Sequence, residues 1–272
     1  MYHLCIKEKR IDFDERYFGK NSKLQQAILN KKPQKVLQLL RIGSDVNFRD
    51  KHKRTPLMAA AEKASPEMCR YLMDYGAEIE FQDEQGETAY LHACAFSKDV
   101  KVLEVFEKKG CNIYIRNKYN DTALFVAAEY NNTPEIIKHL LKKGFYPDNN
   151  DDIYGYTPLM CAARFTKSQS VLEMLLEVSV EYDLVDKDGC TALMHTAYHR
   201  DDNPQNFYIV YNFLKKLDPC RIKKRLFQKN NNGKTMLAIA RAEGNTCVAK
   251  EIQKVMEKYK INSLEEIIGG AH

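Results

Sequence analysis

Few residues in this chain stand at spacings that could do chemistry. His92 and Cys94 lie two residues apart in "LHACA", and His195 occupies the matching place in "TALMHTAY". A metal site or a thiol nucleophile needs its groups on one side of an element. Two positions apart on a helix they diverge by about 200°. No second His or Cys pair stands at metal-site spacing, and none of the eight cysteines forms a CxxC pair. The histidines therefore read as packed core residues. The "DNNDD" run at 148–152 has the composition of a calcium loop, yet it lacks that loop's central glycine and distal glutamate, so it reads as a longer acidic turn. GxGxxG, GxxxxGK and HExxH do not occur. The expectation is a chain with no catalytic residue, metal or cofactor.

The elements that carry these residues recur. "TPLMAAAE" begins at Thr55, "TAYLHACA" at Thr88, "TALFVAAE" at Thr122, "TPLMCAAR" at Thr157, "TALMHTAY" at Thr191 and "TMLAIARA" at Thr235, in steps of 33, 34, 35, 34 and 44 residues. A fixed period of this size marks a stacked array, in which each unit packs on its neighbours alone. Within a unit each Thr suits a helix N-cap, and Pro56 and Pro158 follow at the first helical position, where a missing N–H is harmless. The short Ala-rich helix that follows can approach its neighbours closely. After a break such as "ASPE", a second helix carries apolar residues at helical spacing, for example Met68, Tyr71, Leu72 and Tyr75. Gly43, Gly76, Gly110 and Gly144 end these second helices, as residues suited to left-handed backbone. Cys94 and Cys161 fall among the small buried positions, which points to free thiols and a reducing, cytoplasmic setting.

This pattern resembles the ankyrin repeat: a β-turn finger, an inner helix opening on Thr-Pro-Leu, an outer helix and a closing Gly. The resemblance implies an all-α solenoid over residues 21–258, in seven units at 21–49, 50–82, 83–116, 117–151, 152–185, 186–229 and 230–258. A non-repeat leader at 1–20 packs on the first unit, and within the tail at 259–272 the segment 263–272 forms a short terminal helix or reaches back to the groove. Three departures carry expectations. The family's His after Thr-Pro-Leu is replaced by Met58, Leu91, Phe125, Met160, Met194 and Ala238, so cohesion should rest on apolar packing more than on polar bonds between repeats. Lys53 replaces the finger Gly in the second unit, so that finger should be strained or differently shaped. The lengthened sixth unit should carry a loop at 200–206 and an irregular connection at 218–229.

What the resemblance implies about function is binding of another protein in the concave groove of fingers and inner helices. Carried over repeat by repeat, the family's binding positions fall on Phe96, Tyr130, Phe165 and His199 at one register. Glu129, Arg164 and Tyr198 come one residue earlier in their units. Tyr119, Tyr154 and Tyr156 stand on the fingers. Read together they form an exposed aromatic stripe flanked by charge, a type of surface suited to partner anchoring. The lysines of "KKG" at 108–110 and 142–144, Lys215, Lys216 and "RIKKR" at 221–225 end outer helices and read as a solvated back face, away from the rings. With a net charge of only +5, from 42 basic against 37 acidic residues, nucleic acid is not the expected partner. No apolar run reaches the roughly eighteen residues a membrane helix needs. The reading is a non-enzymatic cytoplasmic adaptor. Two alternatives stay open: a viral or bacterial effector acting on a host protein, and the regulatory module of an enzyme.

Overall fold

A computed structural model describes residues 22–149, 153–199 and 201–269, with side-chain surroundings from 23 to 259 in those spans. The leader at 1–20 and part of the "DNNDD" run lie outside the described residues. The described residues form helices and turns, with no strand among them and one isolated bridge between Lys229 and Thr235. They divide into two compact units, one up to Lys118 and one from Tyr119 onward.

The first unit holds three helical hairpins. Inner helices α1 (Ser22–Leu29), α3 (Pro56–Glu62) and α5 (Ala89–Phe96) stack on one another. Outer helices α2 (Pro33–Arg41), α4 (Pro66–Asp74) and α6 (Val100–Lys108) stack behind them. The second unit repeats the scheme. Its inner helices are α7 (Ala123–Tyr130), α9 (Pro158–Phe165) and α11 (Ala192–His195, continued by a 3₁₀ turn at Thr196–Tyr198). Behind them lie α8 (Pro134–Lys142), α10 (Gln169–Val178) and α12 (Gln205–Leu217). Helix α13 (Pro219–Phe227) follows, and α14 (Met236–Ala242) with α15 (Thr246–Gly269) ends the array.

Sequence accounts for these elements directly. Each of Thr55, Thr88, Thr122, Thr157, Thr191 and Thr235 accepts the backbone N–H three residues on, as an N-cap. Inner helices α5 and α7 are buried on nearly every side, from Ala89 to Ala95 and from Ala123 to Glu129. Their many Ala residues permit this, since a small side chain lets helix backbones close up. Outer helices bury one stripe only: Val102, Leu103 and Phe106 in α6, Ile136, Ile137 and Leu140 in α8. Each such side chain contributes roughly 1.5–3 kcal/mol of burial, which is what holds a hairpin of such short helices.

The fingers are built on one carboxylate or amide device. Oδ1 of Asp50, Asp83, Asp186 and Asn230 accepts the N–H groups two and four residues on, at 2.8–3.1 Å. One residue before the second of those donors the backbone turns left-handed: Gly86 (φ +79°), Gly189 (φ +76°) and Gly233 (φ +70°), but also Lys53 (φ +62°). Of the two expectations for Lys53, the strained backbone is found and the changed finger shape is not. Lys53 adopts the glycine conformation, because the Asp50 bonds on both sides hold it there. Consecutive fingers join through one backbone bond each: Glu84 N–H to His52 O (3.1 Å), Lys118 N–H to Gln85 O (2.9 Å), Lys187 N–H to Tyr154 O (3.0 Å) and Asn231 N–H to Asp188 O (2.9 Å).

The sixth unit differs from expectation at one place and meets it at another. Residues 201–204 form a loop, shorter than the expected 200–206 because α12 begins at Gln205. The connection beyond Leu217 is a helix, α13, capped by Asp218 on the Arg221 N–H (3.2 Å) and opened by Pro219. It packs on α12 and α15 by burying Ile222 and Leu226. Arg225, expected on a solvated face, is buried there and grips Asp183 through Nε (2.7 Å) and Nη2 (2.9 Å). Helix α15 runs through residue 258 and on to Gly269 without a break, so no separate terminal helix forms.

Candidate partner-binding face

The stripe residues fall into three groups. Phe96, the last residue of α5 in the first unit, is exposed at 36%. In the second unit Tyr130 and Phe165 end α7 and α9, and Tyr198 ends the 3₁₀ turn; all three are half-buried, as are the finger residues Tyr119 and Tyr154. Glu129, Tyr156, Arg164 and His199 are buried.

These four buried positions correct the expectation of exposure, the rings of His199 and Tyr156 most directly. His199 is 5% exposed, and its Nε2 lies 3.3 Å from the Thr166 carbonyl. The cause is local. In α5, α7 and α9 eight helical residues follow the Thr, whereas α11 tightens into the 3₁₀ turn after four. Three residues at about 120° each in place of 100° rotate the next side chain by about 60°, turning His199 inward and leaving Tyr198 at the surface. Tyr156 does not project from its finger. Its hydroxyl accepts from Arg164 Nη1 (3.2 Å), and its ring meets His195 edge-on at 4.7 Å. Arg164 in turn lies under the rings of Tyr198 (4.6 Å) and Phe165 (5.1 Å).

Sequence reading missed a polar centre in the first unit. His92 on α5 is buried between carboxylates: Nε2 lies 3.0 Å from Asp83 Oδ2 and 3.9 Å from Glu87 Oε2, and Nδ1 lies 2.8 Å from Glu62 Oε1 on α3. Burial alone would lower the imidazole pKa, but the bonds to Asp83 and Glu62 outweigh it and push it up to about 10. The cohesion between these repeats is therefore polar as well as apolar, with the histidine moved one place on from the family's usual position. At that usual position a thioether takes over part of the capping: Met58 Sδ accepts the Thr55 N–H (3.3 Å) and Met160 Sδ the Thr157 N–H (3.4 Å). Aligning the repeats on the Thr would have found the centre, since Asp83 and His92 sit five before and four after Thr88, just as Asp186 and His195 do about Thr191.

Asp83, Glu87 and His92 also form the one group among the described residues with three possible metal ligands, their donor atoms within 4.8 Å of one another. Their present bonding makes the imidazolium itself the cation of the cluster. His195 differs. Its Nε2 lies 2.8 Å from Asp186 Oδ2, its Nδ1 is buried without a partner, and burial lowers its pKa. None of the seven described cysteines forms a disulfide, and four of them are buried. A surface cleft of about 660 Å³ lies between α12 and α15, lined by Tyr208, Tyr211, Glu251 and Lys258, and shares no residue with the ring register. No described helix is long and apolar enough to cross a membrane.

Comparison with known proteins agrees with this architecture. The family model for ankyrin repeats (3 copies) matches residues 24–117 and 91–186. The human ASB11 ankyrin repeat domain superposes with a TM-score of 0.62 at 19% identity, over 80% of this chain and 90% of that one. The ankyrin repeat domain of Bcl-3, a member of the IκB protein family, gives 0.57 at 23% identity, over 85% and 97%. Among curated proteins, glycerophosphocholine phosphodiesterase GDE1 of Candida albicans is 28% identical over 78 residues, 29% of this chain. Its Schizosaccharomyces pombe counterpart is 31% identical over 106 residues, 34% of this chain. The matches span only 6% and 9% of those two enzymes. The matched span and the stacked hairpins establish that this chain belongs to the ankyrin-repeat family.

Proposed function

We propose that this chain is a non-enzymatic binding module that holds another protein on the side of its fingers and inner helices. The observation that carries the reading is the recurrence of a half-buried ring, Tyr130, Phe165 and Tyr198, at the ends of three consecutive inner elements of the second unit. Such rings hold large apolar area in a fixed place while keeping contact with solvent, and little conformational entropy is left to lose when a partner covers them. Phe96 holds the equivalent place in its own repeat of the first unit. A standard interface of roughly 1,600 Å² would span three or four repeats. Thiols without disulfides among the described residues support a reducing, cytoplasmic setting. The test is the double substitution Tyr130→Ala, Phe165→Ala, followed by capture of partners from cells that express the protein. Loss of a partner with helicity retained supports the reading; undiminished capture rejects it.

The local likeness to two phosphodiesterases favours a second reading, in which the array serves as the regulatory module of an enzyme. The natural reading frame discriminates: continuation into a catalytic domain supports this reading, and a stop codon after His272 removes its covalent form.

A further inference from the structure

We propose that Arg164 is the receptor for an acidic side chain, Asp or Glu, of the bound protein; this rests on the protein-binding reading above and adds the partner's chemistry. Arg164 is 9% exposed, and a guanidinium so far out of water ordinarily has a carboxylate beside it. The other buried arginines among the described residues do: Arg54 Nε lies 3.0 Å from Asp50 Oδ2, and Arg225 holds Asp183. Arg164 has no ion pair among the described residues. Its single hydrogen bond goes from Nη1 to the Tyr156 hydroxyl, and its remaining neighbours are the faces of Phe165 and Tyr198.

The free side of the guanidinium is the one that matters. Nε makes no hydrogen bond and is sealed from solvent, while Nη2 also makes none and is not among the sealed atoms. Nε and Nη2 together are the edge that Arg225 uses to grip both oxygens of Asp183. The same two-pronged donor in Arg164 is thus formed, desolvated and unfilled, with one end open. Nearby groups do not fill it. Asp186 is engaged by His195, and His195 is kept neutral by burial, so it adds no second cation. A carboxylate arriving at Nη2 completes the fork at Nε as the half-buried rings of Phe165 and Tyr198 move aside. Those rings then cover the apolar part of the incoming side chain.

Peptides selected from a displayed random library against the intact chain test this. Wild-type protein is expected to select peptides with an Asp or Glu at one fixed position, and changing that acid to Asn or Gln should weaken binding tenfold or more. On Arg164→Met the same change should have no effect. On Arg164→Lys, which keeps the charge and loses the fork, it should have an intermediate one. Circular dichroism verifies that each variant is folded. An acid-to-amide effect of equal size on wild type and on the variants overturns the proposal, as does selection of peptides with no required acid. Peptides that need Tyr130 and Phe165 but ignore Arg164 overturn this inference and leave the protein-binding reading standing. Peptides indifferent to all three positions overturn both.

Discussion

Glu62 Oε1 lies 2.8 Å from Nδ1 of His92, so a carboxylate of one repeat holds a histidine of the next. With Asp83 on the opposite ring nitrogen at 3.0 Å, both N–H groups of an imidazolium are satisfied in the interior. The folded state raises the His92 pKa to about 10, above its ordinary value of about 6.5. A group raised on folding stabilises fully below its unfolded pKa and loses that contribution as pH rises through the folded one. The thermal midpoint of the wild type should therefore lose the His92 contribution only between about pH 6.5 and 10. Replacing His92 by Gln removes the cation and leaves buried Asp83 and Glu87 without it, at a cost of about 3 kcal/mol. A pH scan of the midpoint for both proteins checks this; a gap between them that does not narrow toward pH 10 would refute the charged assignment.

His195 should behave in the opposite sense. Desolvation lowers its pKa, against the bond to Asp186, and its Nδ1 finds no partner. The unfolded chain binds this proton more readily than the folded one, so stability attributable to His195 falls as pH drops below about 6.5. Nitrogen-15 chemical shifts at pH 7 separate the two residues: His92 should show two protonated ring nitrogens and His195 one, the Nε2. Two protonated nitrogens on His195 would contradict its placement.

How much of this was legible in the sequence depends on whether a residue's role is local. Thr caps, closing glycines and the hairpin order follow from near-neighbour chemistry, so Thr88, Gly76 and Pro158 announce them. The burial of His199 does not follow from its count of eight after Thr191, because it depends on a 3₁₀ turn that α11 takes and α9 does not. Helix α13 was hidden for another reason: its stripe of Ile222 and Leu226 is interrupted by basic residues, and burial of Arg225 needs Asp183, forty-two positions earlier. The His92 centre likewise draws on Glu62, thirty positions away. Long-range polar pairing was the part that single-repeat reading could not supply.

The equivalent finger positions Lys53 and Gly86 should respond in opposite directions to substitution. Both are left-handed, at φ +62° and +79°. A side chain there strains the backbone by about 1–2 kcal/mol, partly offset by the greater entropy of a Gly in the unfolded chain. Lys53→Gly should thus leave stability unchanged or raise it by up to about 1 kcal/mol. Gly86→Ala should lower it by more than that, because an added Cβ would also stand 2.9 Å from the Lys118 backbone nitrogen on the next finger. Chemical denaturation of the two variants gives both signs, and a stabilising Gly86→Ala would disprove the close finger contact.

The loop of the sixth unit should prove structural through Asp202. Its Oδ2 accepts the Cys247 N–H (3.0 Å) and its Oδ1 the Val248 N–H (3.0 Å), with Thr246 Oγ1 at 3.2 Å, so the loop caps α15 from forty-four to forty-six positions away. Burial works against the carboxylate, but the N–H bonds outweigh it and lower its pKa. By the linkage sign for a lowered acid, this contribution is present above about pH 4, its unfolded value, and is lost as pH falls below it. Asp202→Ala should cost about 1 kcal/mol, as loss of a helix N-cap does. The loss should come as faster amide exchange at Cys247 and Val248, with little change at α9. Asp202→Asn keeps an acceptor oxygen and should recover part of the protection. Unaltered exchange in the first turn of α15 would show that the loop does not hold that helix.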